Sequence, residues 1–86
     1  MISAKEAFKL ADQNTRIAEE MEMIDEEIRR AANEGRFFIT WYSDRLIEFQ
    51  YSILKEKLED EGYSVTIMYE DNAIQLYIYW HFANEG

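Results

Sequence analysis

The stretch SAKEAFKLADQNTRIAEEMEMIDEEIRRAANE, residues 3–34, decides the fold of this chain. An apolar residue recurs every three or four positions and no proline or glycine interrupts the run, which is the pattern of one amphipathic helix. Ser3 followed by Glu6 has the spacing of a capping box. Gly35 is a natural stop, and Arg29 and Arg30 fall in the last turns, where cations suit the helix dipole. At ~1.5 Å per residue such a helix runs roughly 45 Å, whereas a seven-residue strand spans about 23 Å. The helix is therefore expected to overhang its own domain and to bury part of its apolar stripe elsewhere.

In register, Ala7, Asn14, Met21 and Ile28 recur every seven residues, with Leu10, Ile17, Ile24 and Ala31 three beyond them. These are the a and d positions of a coiled coil, with Asn14 as the polar residue that fixes register. Leu10, Asn14, Ile17, Met21, Ile24 and Ile28 are accordingly the expected oligomer interface, with a dimer as the expected state. A parallel pair would set Glu20 against Asp25 of its partner, and Ala11, Ala18 and Ala32 widen the apolar face beyond a narrow seam. Both features favour an antiparallel pair or packing on a sheet. The alternative is a break at Asp12-Gln13-Asn14-Thr15, four weak helix formers, with the helix then folded wholly onto its own sheet.

Beyond Gly35, residues 36–42 (RFFITWY) are aromatic and β-branched and read as a strand. Ser43 or Asp44 is the expected cap of a second helix through Leu46, Ile47, Tyr51, Leu54 and Leu58 to Gly62. Residues 63–69 alternate as a second strand, 70–72 turn, and 73–80 return as a third. The fold class is α+β, in the order α-β-α-β-β, as one domain with a helix over 3–34 and a β-α-β-β unit over 36–82. Either the third strand lies between the first and second, making an antiparallel sheet, or the first pairs parallel with the second. The central position suits the third strand, the longest and most apolar.

Alternation sorts the strands into two faces. Phe37, Ile39, Trp41, Val65, Ile67, Ile74, Leu76, Ile78 and Trp80 share one, with Tyr63 and Tyr69 at its margins, and suit a core beneath the second helix. Phe38, Thr40, Tyr42, Thr66, Met68, Gln75, Tyr77 and Tyr79 share the other, with Arg36 and His81 near strand ends. The first helix, of this chain or of a partner copy, is expected to cover that second face, which makes assembly and binding competing uses of one surface. Left open, its rings would anchor a protein partner or stack a ligand. Phe38, Tyr42, Tyr77, Tyr79, Arg36 and His81 are the candidate binding residues.

Eighteen acidic against nine basic side chains give a net charge of −9 over 86 residues, which repels bare nucleic acid. The acids gather at residues 19–27, 56–61 and 70–71. They read as solvated helix faces, or as a surface for a basic partner, including one whose nucleic-acid site would be blocked by imitating phosphate charge. The chain is 48% hydrophobic and 15% aromatic, too apolar for a disordered tail. It lacks cysteine, and neither a signal-peptide core nor a membrane-length apolar run is present. A soluble, cytoplasmic protein is the expectation.

Catalytic patterns are thin. His81 is the single histidine, Ser43 lacks the glycines of a nucleophile elbow, and the three glycines form no phosphate-cradling loop. Glu59 and Asp60 lack calcium-loop spacing. The reading is a non-enzyme without metal or cofactor.

The run IRRAANEGRFFI (28–39), then Leu54 and Leu58 leading to Gly62-Tyr63-Ser64-Val65, and the closing Tyr77-Ile78-Tyr79-Trp80 resemble a group of small phage-encoded proteins. Their pattern is a helical start, A-x-x-x-G-x-F-x-I, a later G-Y-x-V and a C-terminal isoleucine and tryptophan. This chain departs by continuing from His81 to Gly86. The resemblance implies a viral origin and supplies no activity or site residues. Three functions follow as expectations. The first is a phage accessory protein that binds another protein stoichiometrically, as an inhibitor of a host or defence factor. The others are a small-ligand or nucleotide binder using the aromatic face, and a virion component.

Overall fold

The computed structural model describes residues 1–81 of the chain, so the boundary expected at residue 82 lies outside the described residues. The elements are α1 (Ala4–Asn33), β1 (Phe38–Trp41), α2 (Glu48–Asp60), β2 (Ser64–Glu70) and β3 (Ala73–Tyr79). The sheet order is β1-β3-β2 with both pairings antiparallel, as the apolarity of the third strand predicts.

The sequence signals that start α1 and end both helices act as read. Ser3 Oγ accepts from the Glu6 N–H at 3.1 Å, and α1 continues unbroken through residues 12–15. Both helices close on a left-handed glycine, Gly35 at φ 81° and Gly62 at φ 97°. After α1 the Arg36 N–H reaches the Ala31 carbonyl and the Gly35 N–H that of Ala32. After α2, Tyr63 and Gly62 repeat the pattern on Leu58 and Glu59. Each pair of bonds caps the helix end, and a side chain at the glycine would be strained there. The β2–β3 hairpin turns on Asp71 and Asn72, both at positive φ (45° and 67°), the primed geometry that matches strand twist.

The start of α2 differs from expectation. Ser43 and Asp44 do not cap it, and the helix begins four residues later. The Tyr51 hydroxyl donates to the Ser43 carbonyl (2.8 Å) and accepts from the Ser43 N–H (3.0 Å), while Ser43 Oγ takes the Arg45 N–H at 3.3 Å. With its polar groups so engaged, Ser43 holds a turn. Ile47 is then the cap residue, and its N–H is met by Gln50 Oε1 at 3.0 Å.

Both helices pack on one side of the sheet. Ile17, Ile24, Ile28 and Ala31 of α1 and Tyr51, Leu54 and Leu58 of α2 share a buried cluster with Ile39, Val65, Leu76 and Ile78. Ile39 pairs with Ile78, Ile78 with Val65, and Leu76 with Ile67, so these strand positions form a single face. The expectation that α1 covers the aromatic face of its own chain is therefore overturned. Phe37, assigned to the core by alternation, is 53% exposed because β1 starts one residue after it. The overhang is present. Residues 1–12 are exposed throughout, and the longest dimension of the molecule is 47 Å. Among the described residues no helix is long and apolar enough to cross a membrane.

Candidate functional site

The side of the sheet away from the helices carries Phe38 and Thr40 of β1, Gln75, Tyr77 and Tyr79 of β3, and Ser64, Thr66 and Met68 of β2. The register sets Phe38 and Ser64 beside Tyr79, Thr40 and Thr66 beside Tyr77, and Met68 beside Gln75. Four of the six candidate binding residues come together here. Phe38 stacks on Tyr77 with ring centroids 5.4 Å apart, Tyr77 lies 5.3 Å from Tyr79, and the Arg36 guanidinium sits over the Phe38 ring at 5.3 Å. Rings at these offsets attract one another beyond their buried area, and the cation adds to this.

Tyr42 and His81 do not complete this group. Tyr42 lies past the end of β1 and is 56% exposed. His81 turns its ring edge-on to Phe37 at 5.2 Å, on the side of the strand that alternates with Phe38. The oligomer-interface set is likewise divided. Ile17, Ile24 and Ile28 are buried in the chain's own core at 7% exposure or less. Met21 is half-buried, while Leu10 and Asn14 are exposed.

Charge separates the two sides of the molecule. Among the described strand residues Glu70 is the single charged side chain, and it lies at the β2 end of the open face, opposite Ala73. The acids are carried by the helices and turns, where several are paired within one helix, as in Asp25–Arg29 at 2.8 Å and Glu27–Arg30 at 2.9 Å.

One functional-looking group escaped the sequence reading. Glu20, within an acidic run read as solvated, is 1% exposed, and neither carboxylate oxygen has a hydrogen bond. Its nearest counter-charge is Arg45 Nη2 at 3.5 Å. The same guanidinium meets Glu19 at 3.3 Å, and the Arg45 carbonyl accepts from Arg16 at 3.4 Å. Glu20 lies three residues after Ile17 and four before Ile24, so its helical position gave the signal. The group clamps the turn at residues 43–46 to α1. Among the described residues no cluster of three or more His, Cys, Asp or Glu side chains could hold a metal ion.

Burial raises the ionisation of Tyr51 and of Tyr63 above the ordinary tyrosine range. A native pKa raised above the unfolded value of ~10 gives stability that is complete below that pH and is lost as pH climbs through the native value. Urea midpoints are therefore expected to hold steady to about pH 9 and to fall above about pH 10. The Tyr51→Phe/Tyr63→Phe variant should start about 1–2 kcal/mol less stable, through the two hydrogen bonds with Ser43 that it loses, and decline less steeply. Equal slopes for the two proteins would show that other groups cause the loss.

No protein-family model, no curated protein sequence and no solved structure matches the chain.

Proposed function

We propose that this chain is a stoichiometric protein-binding module whose partner docks on the open sheet face centred on Tyr77. One observation carries the reading: in a chain of net charge −9, the face left uncovered by both helices is aromatic and almost free of charge. Protein interfaces have that composition at their cores, with tyrosine, phenylalanine and methionine enriched and acids depleted. Phe38, Tyr77 and Tyr79 already lean on one another, so little side-chain freedom is lost when a partner covers them. The acidic helices on the far side of the sheet give the molecule a negative long-range field that favours the approach of a basic partner and repels acidic ones. A viral origin, which the resemblance to small phage-encoded proteins implies, would make a bacterial host or defence factor the partner, inhibited by having its own surface covered.

Pull-down from a bacterial lysate at moderate salt is expected to recover one specific protein. Tyr77→Ala should weaken that capture by roughly 30-fold, the effect of a central aromatic anchor worth about 2 kcal/mol. Thermal melts of both proteins separate lost binding from lost folding. Recovery of no partner, or of a partner held equally well by a folded Tyr77→Ala chain, overturns the reading.

A further inference from the structure

We infer that β2 is a docking edge for an extended segment of another protein, which adds to the sheet as a fourth strand and carries lysine or arginine where it passes Tyr69 and Glu70. This edge is a different surface from the open face centred on Tyr77. Its backbone phase follows from one bond. In the β1–β3 pairing the Trp80 N–H donates to the Phe37 carbonyl at 2.9 Å, and neighbours along an antiparallel strand turn their backbone groups to opposite sides. Leu76, Ile78 and Trp80 therefore face β1. Gln75, Tyr77 and Tyr79 face β2, where they meet Met68, Thr66 and Ser64. The N–H and C=O groups of Val65, Ile67 and Tyr69 are left turned outward, and among the described residues no hydrogen bond meets them.

Such an edge is a template for another strand, and proteins that keep one free guard it with lysine, proline, a bulge or brevity. β2 has none of these. It runs seven residues, each with a single partner on β3, and its one charged residue is Glu70. β1, the other edge, is four residues long and turns only Phe38 and Thr40 outward. Donors and acceptors repeating every second residue are matched by extended backbone. Charge selects the chain that supplies it. Glu48, Glu70 and Asp71 line a hollow of about 350 Å³ beside Tyr69, with no base in its walls, and none of the three is in an ion pair with a described residue. Tyr69 points to the helix side, where its hydroxyl donates to Glu48 at 3.0 Å. A strand laid along β2 sets the residue opposite Tyr69 on that same side, and the residue opposite Glu70 on the open side next to its carboxylate. Lysine or arginine is drawn to both places. A second copy of the chain fits the edge less well, because it brings a net charge of −9 and its own β2 holds no base.

The probe is a blocked nine-residue peptide of alternating valine and threonine with two lysines at each end, added to the full chain. Hydrogen exchange of the backbone amides reads the contact. Val65, Ile67 and Tyr69 should gain about tenfold protection or more, while Thr66 and Met68, already bonded to β3, should change little. Methylating every second amide of the peptide should abolish binding in one phase and leave it in the other, because a strand donates to one side from alternate residues only. Glutamates in place of the lysines should weaken binding roughly tenfold or more. Tyr69→Pro removes an outward N–H and leaves the ladder to β3 intact. It should weaken binding roughly fivefold beyond Tyr69→Ala, which keeps that N–H. Thermal melts check that both variants fold, and the methylated peptides test the same bonds on the wild-type chain. Absence of protection at Val65, Ile67 and Tyr69, equal binding of the two methylated phases or of the glutamate peptide, or a folded Tyr69→Pro chain no weaker than Tyr69→Ala would each overturn the proposal. So would a wild-type dimer, measured by light scattering, that already protects these amides, since the edge then belongs to a second copy. The probe replaces any natural partner, so failure here leaves the lysate capture through Tyr77 standing.

Discussion

Replacing Ile24 with alanine is expected to cost about 2–5 kcal/mol, a large share of the roughly 5–15 kcal/mol that holds a small domain together. Ile24 is fully buried where α1 meets the sheet and α2, and its truncation leaves a cavity between elements that cannot all close on it. The adjacent Met23, similar in apolarity, points away and is 38% exposed. Met23→Ala is expected to stay within about 0.5 kcal/mol of wild type. Urea denaturation of the two variants measures the difference directly. Equal losses would mean that α1 does not pack through the face assigned here, and small losses for both would mean that α1 is not part of the core.

Arg45→Ala is expected to cost about 1–3 kcal/mol, and Glu20→Met to be neutral or stabilising. The two substitutions remove opposite halves of one ion pair, so the asymmetry is informative. Without Arg45, the Glu20 carboxylate stays buried with neither a hydrogen bond nor its nearest cation. Fully buried pairs lose about 3–5 kcal/mol when broken in this way. Water reaches the guanidinium here, since Arg45 is 46% exposed, which reduces the figure. Methionine at residue 20 removes the buried charge, keeps a similar volume and favours the helix. The double variant should then lose much less than Arg45→Ala alone, and that non-additivity, read from denaturation midpoints, is the coupling between the side chains. Additive losses would mean that the Arg45 side chain acts through Glu19 instead.

Where local chemistry decides an element, the residues disclosed it. Ser3 with Glu6, and Gly35 and Gly62, bound their helices because a cap or a left-handed turn is a property of a few consecutive residues. The sheet order followed from the apolarity of residues 73–80. The start of α2 did not follow, because the hydroxyl that engages Ser43 belongs to Tyr51, eight residues on. A good cap residue was taken up by a contact that local reading does not include. Glu20 was misread for a related reason: charge runs report average exposure, whereas burial depends on the angular position of one residue.

By itself the sequence determined the order of elements, the alternation of faces along each strand and, Glu20 apart, the residues of α1 that are buried, Ile17, Ile24, Ile28 and Ala31. Periodicity fixes which side chains point together, and it carries no information about what they point at. Tertiary structure decided that α1 lies beside α2 on the aliphatic face and leaves Phe38, Tyr77 and Tyr79 uncovered. The physical reason is complementarity of polarity. The branched stripe of Ile17, Ile24 and Ile28 fills the space over Ile39, Leu76 and Ile78 without burying a hydroxyl. Laid on the tyrosines, the same stripe would take polar tips out of water and offer them no hydrogen-bond partner.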